Sequence, residues 1–335
     1  MPASTEPAAT AVVYRDGRIE CTAAVEEITA LRDDAERVTW VDLVDPDHER
    51  LERLAELLHL HPLAVEDVEG SEERAKLVRY ETHLFLTLYA LALAGPGPAP
   101  APQDRIVRHE VDVFVAGRVV VTVRRADGFD IDCVRRGWEA HPGLLAAGPM
   151  TLVWAIVDHV VDTHFDTVQA LDEEVEQLEA EVLGTHPDAH RVQRDAYLLH
   201  KQLVVLRRLA LPTREIVSSI INRSDPPLPD ALQPYLLDVY DHVLRVSDWT
   251  DSLRDLASTI VDTNLSSQGN RMNLVMKKLT AWAAIIAVPT LITGFFGMNV
   301  DLPLFGTGTG GVVAIALVAL TSVGLYTQFK VRDWL

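Results

Sequence analysis

Two long stretches near the C-terminal end, 279–300 and 302–329, contain no charged residue. A bilayer core of about 30 Å is crossed by roughly 20 helical residues, so each stretch is long enough for one crossing. The connection between them is short and rich in Gly, Thr and Pro, which suits a turn outside the lipid. In hydrocarbon every backbone polar group must be satisfied within the segment, and a helix does this. A helical hairpin is therefore expected, with spans near 280–298 and 311–329. The competing reading is a hairpin buried inside a soluble fold, and two such runs at one end of a chain argue against it.

Lys and Arg placement orients the hairpin. Arg271, Lys277 and Lys278 precede the first span, Lys330 and Arg332 follow the second, and the loop between has neither residue type. Both termini are expected in the cytoplasm and the loop outside. Trp282, Phe305, Tyr326 and Trp334 lie near the interfaces that aromatic rings prefer. The tail is also distinct in charge. From Arg271 onward there are five cations and two acids, a net +3, whereas the chain carries −19, leaving −22 on residues 1–270. A domain this acidic repels nucleic acid phosphates, so DNA and RNA are set aside as partners. It attracts cations, although acidity also serves simply to keep a domain soluble. Cys21 and Cys133 give neither a metal-ligand spacing nor a disulfide framework, which fits a reduced compartment. The first ten residues lack the basic-then-apolar pattern of a signal peptide.

The acidic part divides in two. Short runs rich in Val, Leu, Phe and Tyr at 11–14, 38–43, 84–93, 110–116 and 118–124 read as strands. Ala116-Gly117-Arg118 is a tight turn between the last two. Asp45-Pro46 is read as a helix start, followed by Leu51, Leu54, Leu57 and Leu58 on one face. The expectation is an α/β domain over 1–148. From 149 helical periodicity takes over, with long antiparallel helices over 149–230. After Pro234 no proline intervenes until Pro289, so one very long helix is expected. Its stalk covers 231–278 and it continues as the first span, 279–300. A loop at 301–310, the second span at 311–329 and a tail at 330–335 complete the division.

Asn273, Met276, Thr280, Ala283, Ala287, Thr290 and Gly294 recur at alternating steps of three and four, which places them on one helix face. Small residues on such a seam serve helix–helix packing in membranes, and the same face can line a pore. No carboxylate lies on it. Amides, hydroxyls and carbonyls on such a face can hold a hydrated cation by its water shell without stripping it. Other motifs carry less. The acidic run Asp172, Glu173, Glu174, Glu176, Glu179 and Glu181 reads as a solvated face. His59, His61 and Asp241-His242 lack a full zinc ligand set. No phosphate loop, nucleophile elbow or HExxH motif occurs, so no enzyme is expected.

Gly297-Met298-Asn299 closes the first of the two spans. With it go Asn273-Leu274-Val275-Met276-Lys277-Lys278-Leu279-Thr280, Leu237-Asp238-Val239-Tyr240-Asp241-His242, Leu265-Ser266-Ser267, Leu211-Pro212-Thr213-Arg214-Glu215 and Lys330-Val331-Arg332-Asp333-Trp334-Leu335. On these residues the chain resembles the CorA family of magnesium and cobalt channels over roughly 40–335. The resemblance implies a homopentamer in the cell (inner) membrane, among lipids, with the first span of each subunit lining a central pore. It implies Mg²⁺ as substrate, with Co²⁺ or Ni²⁺ as further cargo, and Mg²⁺ as regulatory ligand. Gly297, Met298 and Asn299 would form the selectivity filter. Met276 and Leu279 would form a hydrophobic gate, and the seam with Leu279 would line the pore. Asp238, with Asp241 one turn on, would bind regulatory Mg²⁺ at a neighbouring subunit. Three positions depart from the family. The strand end that should supply the partner acid reads Leu91-Ala92-Leu93-Ala94, leaving Glu66 or Asp67 as substitutes. Ala287 stands where many relatives carry a bulkier side chain. The outer loop has only Asp301 as an acid. Two other functions remain in view: a zinc transporter of the same superfamily, where Met298 favours the magnesium branch, and a membrane-anchored coiled-coil scaffold.

Overall fold

A computed structural model of the chain describes residues 10–34, 36–70, 74–94, 105–125, 128–145, 147–184, 188–224, 227–298 and 308–334. The runs of β-branched and aromatic residues form strands as their alternation demands. They are β1 (Thr10–Arg15), β2 (Arg18–Ala24), β3 (Arg37–Val44), β4 (Lys76–Arg79), β5 (Leu84–Leu93), β6 (Ile106–Ala116) and β7 (Val119–Arg124). They make one sheet in the order β2-β1-β3-β7-β6-β5-β4, antiparallel except for the parallel β3–β7 pair. Gly117, with φ +60, makes the β6–β7 turn; a Cβ there would sit 2.6 Å from the Arg32 carbonyl oxygen.

One face of the sheet is covered by α1 (Ile28–Leu31), α2 (His48–Leu58) and α3 (Pro62–Glu69). Ile28, Leu51, Leu54, Leu58, Ala64 and Val68 form a core there with Val41, Phe85, Phe114 and Val121. The other face meets α4 (Ile131–Glu139), α5 (Pro142–Leu145) and α6 (Met150–Leu183). Trp138 of α4 is fully buried against Tyr14 and Trp40, and its indole N–H donates to the Thr151 hydroxyl at 3.2 Å. On α6, the His164 imidazole contacts the Tyr89 carbonyl at 2.8 Å and the Thr163 hydroxyl accepts from the Leu91 N–H at 2.9 Å. Helix α7 (Ala189–Arg223) runs beside α6, and α8 (Gln233–Phe296) is a single helix of 64 residues. Phe165 of α6 meets Trp249 of α8 edge-on at 5.5 Å, and the Arg207 guanidinium of α7 binds Asp251 of α8 at 2.7 Å.

The chain separates into two compact units, Met1–Ile260 and Val261–Leu335. The second holds the end of α8 and α9 (Gly308–Val331). In both helices the most apolar stretch is only 6% buried, a surface that water would not tolerate and lipid would.

Two strands escape the sequence pattern. β2 is exposed along almost its whole length and β4 is only partly covered. Both are edge strands, so neither needs the apolar alternation that marks a buried strand. The helix start expected at Asp45 lies two residues later. The Asp47 carboxylate accepts from the Arg50 N–H at 2.9 Å as the α2 cap. Asp45 instead ends the strand, its N–H bound to the Arg124 carbonyl at 2.9 Å and its φ at 42. α9 opens at Gly308, three residues before the expected start.

Candidate ion pore

The membrane unit separates two faces of α8. Asn273, Met276, Leu279, Thr280, Ala283, Ala287, Thr290 and Gly294 are all exposed. Ala281 is fully buried, and Ala284, Ile285, Val288, Ile292 and Phe296 are half-buried. At 100° per residue the covered face is centred about 140° from the seam. Helix α9 likewise covers one narrow stripe, Gly310, Ala314, Val318, Ser322, Leu325 and Phe329, and leaves Val312, Ile315, Leu320 and Val323 exposed. The predicted seam thus lies on the part of α8 that its own chain leaves open, together with Trp282, Ile286, Leu291 and Phe295.

The seam carries no charge, and Asn273, Thr280 and Thr290 are its polar side chains. The Thr290 hydroxyl donates to the Ile286 carbonyl at 2.8 Å, so its free lone pairs are what the seam presents. Pro289 has no N–H to give the Ile285 carbonyl, which weakens one rung of the helix. Below these, Met276 and Leu279 are 51% and 62% exposed and apolar. At the other end the helix stops at Phe296. The Gly297 N–H still reaches the Thr293 carbonyl at 2.9 Å, and the Met298 N–H reaches the Phe295 carbonyl at 3.2 Å. Asn299 and Asp301 lie outside the described residues.

The two stalk acids have different surroundings. Asp241 is tied to Arg245 of its own helix by contacts of 2.7 and 3.0 Å. Asp238 is exposed, with the His242 imidazole 3.9 Å away. Among the described residues no three acidic, imidazole or thiol side chains converge to hold an ion. The substitute acid Asp67 forms an ion pair with Lys76 at 2.8 Å. In the acidic run of α6, Glu174 is held by Arg105 at 2.7 Å.

Sequence reading missed two acids. Asp158 and Asp162 of α6 both have carboxyls pushed above the ordinary range. For Asp158 the value is about 6, caused first by burial, then by Asp162, with Asp238 adding to it. For Asp162 burial is again the first cause. Asp158 of α6 thus lies close enough to Asp238 of α8 for their charges to interact, with the His242 imidazole opposing the rise. Asp158 and Asp162 lie one turn apart on α6, but nothing in their local sequence points to α8.

Residues 35–330 match the family described as CorA-like Mg²⁺ transporter protein. The chain is 29% identical over 317 residues to the cobalt/magnesium transport protein CorA of Thermotoga maritima, covering 94% of this chain and 88% of that protein. It is 24% identical over 307 residues to the zinc transport protein ZntB of Yersinia enterocolitica, covering 90% and 89%. Its fold resembles the complete structure of the CorA magnesium transporter from Methanocaldococcus jannaschii, with a TM-score of 0.74 at 21% identity over 97% of this chain and 98% of that one. With an α/β domain, a long helix and two apolar C-terminal helices matched over nearly the whole length, the chain belongs to the CorA-like Mg²⁺ transporter family, as an integral membrane transporter of divalent cations and not an enzyme.

Proposed function

We propose that the chain forms a homopentameric channel that carries hydrated Mg²⁺, and Co²⁺ or Ni²⁺ with it, through the inner membrane into the cytoplasm. Five copies of the α8 seam face a central axis, and both termini of each chain are cytoplasmic. The observation that carries this reading is the open seam: one uncharged face of a membrane helix, with the Thr280 and Thr290 hydroxyls on it, left uncovered while the opposite face is at least half-covered. Hydroxyl oxygens facing lipid lack donors, and a water-filled axis between subunits supplies them. Thr290, its proton committed to Ile286, offers acceptors to the hydrogens of an ion's water shell. Asn273 and Thr280 provide further polar rings, and Gly297, Met298 and Asn299 the outer filter. Met276 and Leu279 form an apolar neck that dewets when narrow. The driving force is large, because a divalent ion crossing 100 mV gains about 4.6 kcal/mol, twice the single-charge figure.

Magnesium is favoured over zinc by ligand type. Zinc is held by thiolate and imidazole ligands, and the seam contains neither Cys nor His. Cytoplasmic Mg²⁺ closes the channel at Asp238. There the charge of Asp158 deepens the negative potential, with Asp241, damped by Arg245, adding to it. Flux into liposomes containing a Mg²⁺-sensitive dye tests the reading. Asn299→Ala is expected to abolish uptake while leaving the pentamer intact, and unchanged uptake refutes the filter. Asp238→Asn is expected to shift inhibition by internal Mg²⁺ to higher concentration; an unmoved inhibition curve removes Asp238 from the sensor.

A further inference from the structure

We infer that the membrane unit carries a cationic collar that selects anionic phospholipid headgroups at the end of the hairpin where the chain enters and leaves the bilayer. The collar consists of Arg271, Lys277, Lys278, Lys330 and Arg332, all exposed. In a chain of 49 acids and 30 cations, many cations find a carboxylate: Arg37 binds Glu20, Arg245 binds Asp241 and Arg105 binds Glu174. Among the described residues, Arg271, Lys277, Lys278 and Arg332 form no ion pair. The Lys330 ammonium lies 5.9 Å over the Tyr326 ring.

The direction of these side chains separates a lipid role from a pore role. At 100° per residue, Lys277, Lys278 and Arg271 lie about 90°, 170° and 150° from the centre of the open seam. A ring of cations at the pore mouth would need them on the seam. Instead Lys277 and Lys278 flank the covered face of α8, and Lys330 and Arg332 flank Phe329 at the end of the covered stripe of α9. Their depth also fits. Lys277 and Lys278 sit within about 3 Å along the axis of Leu279, where the apolar run begins, and Arg271 about 12 Å before it. The two lysines fall within the headgroup layer, roughly 5 to 8 Å on each side of the core, and Arg271 lies just beyond it, about one Debye length from Leu279. The end of α9 is built for the same depth. The Trp334 ring stacks on Phe329 at 5.5 Å, and the Trp334 N–H binds the Phe329 carbonyl at 2.9 Å. This folds the last turn back so that an aromatic pair and two cations share one level, as interfacial anchors do. Unpaired cations at that depth attract anionic headgroups, and the attraction falls off within a Debye length.

The inference requires only that the hairpin lies in a bilayer. The full-length protein is reconstituted in phosphatidylcholine bilayers containing spin-labelled phosphatidylglycerol or spin-labelled phosphatidylcholine. The motionally restricted fraction is read by electron spin resonance. The expected result is an enrichment of the anionic label of about fivefold, the worth of one headgroup–cation contact. It should collapse in the variant carrying R271Q, K277Q, K278Q, K330Q and R332Q, and in the unaltered protein at 1 M salt, where the Debye length is about 3 Å. Equal restriction of the two labels in the unaltered protein overturns the inference, and so does an enrichment that survives high salt or the variant. Ion flux is measured separately, so loss of transport in the same preparation bears on the pore and not on the collar.

Discussion

Asp112 lies on β6 directly opposite Thr87 of β5 and is only 4% exposed. Its carboxyl is pushed from an ordinary 3.8 up to about 8, first by burial, with the charges of Glu110 and Asp67 adding to the rise; the hydrogen bond from Thr87 and the nearby Lys76 oppose it. The folded chain therefore holds a proton that the unfolded chain releases. Between pH 4 and 8 the folded state binds more protons, so stability falls as pH rises across that window. At 1.36 kcal/mol per unit, the ionisable group costs about 2 kcal/mol at pH 5, about 4 kcal/mol at pH 7 and about 6 kcal/mol above pH 8. Asp112→Asn keeps the shape and leaves an oxygen for the Thr87 hydroxyl, which now sits 2.7 Å away, but it removes the titration. The variant is expected to be more stable, and the advantage to grow with pH. At roughly 2 °C per kcal/mol for a domain of this size, the gap in Tm widens from about 4 °C at pH 5 to about 8 °C at pH 7. Thermal unfolding of the detergent-solubilised protein, followed by tryptophan fluorescence at pH 5, 6, 7 and 8, measures this. A gap of either sign that stays constant across those values refutes the reasoning, because only a titrating group produces the slope.

Two other changes follow from the same structure. Leu279→Asn places an amide in the apolar neck; if wetting lowers the barrier by about 1.4 kcal/mol, uptake at millimolar Mg²⁺ rises about tenfold, and liposome flux that is unchanged or slower contradicts a dewetting gate. Trp138→Ala empties the contact with Tyr14 and Trp40 and removes the bond to Thr151, and chemical denaturation of the unit Met1–Ile260 is expected to lose about 3–5 kcal/mol, a loss under 1 kcal/mol being inconsistent with its full burial.

Much of the architecture is legible along the chain. β5 spans Leu84–Leu93 as its apolar run predicts, and α6 begins at Met150, one residue after the position where helical periodicity takes over. The interval free of proline from Pro234 to Pro289 becomes an unbroken helix, and Pro289 itself is accommodated inside it. These features depend on neighbours in sequence: charge-free length, a period of 3.6 or 2, a proline or a glycine. The edge strands β2 and β4 were not legible, because an edge strand carries little burial and so little pattern. The α2 cap was misplaced by two residues because Asp45 and Asp47 are equally good caps locally. The choice between them was made by the hydrogen bond from Asp45 to Arg124, 79 positions away in the chain.

The sequence by itself determined that this chain has two helices apolar enough for lipid, that a long helix feeds the first of them, and that a seam of small, uncharged side chains runs along that helix. The tertiary structure alone decided which face of α8 stays open, that Asp241 is spent on Arg245, and that Asp158 of α6 comes within electrostatic reach of Asp238. It also decided that Asp112 is cut off from water. The division has one physical cause. Hydrophobic length and helical period are properties of consecutive residues, whereas burial and electrostatic potential depend on which distant segments fold against a group.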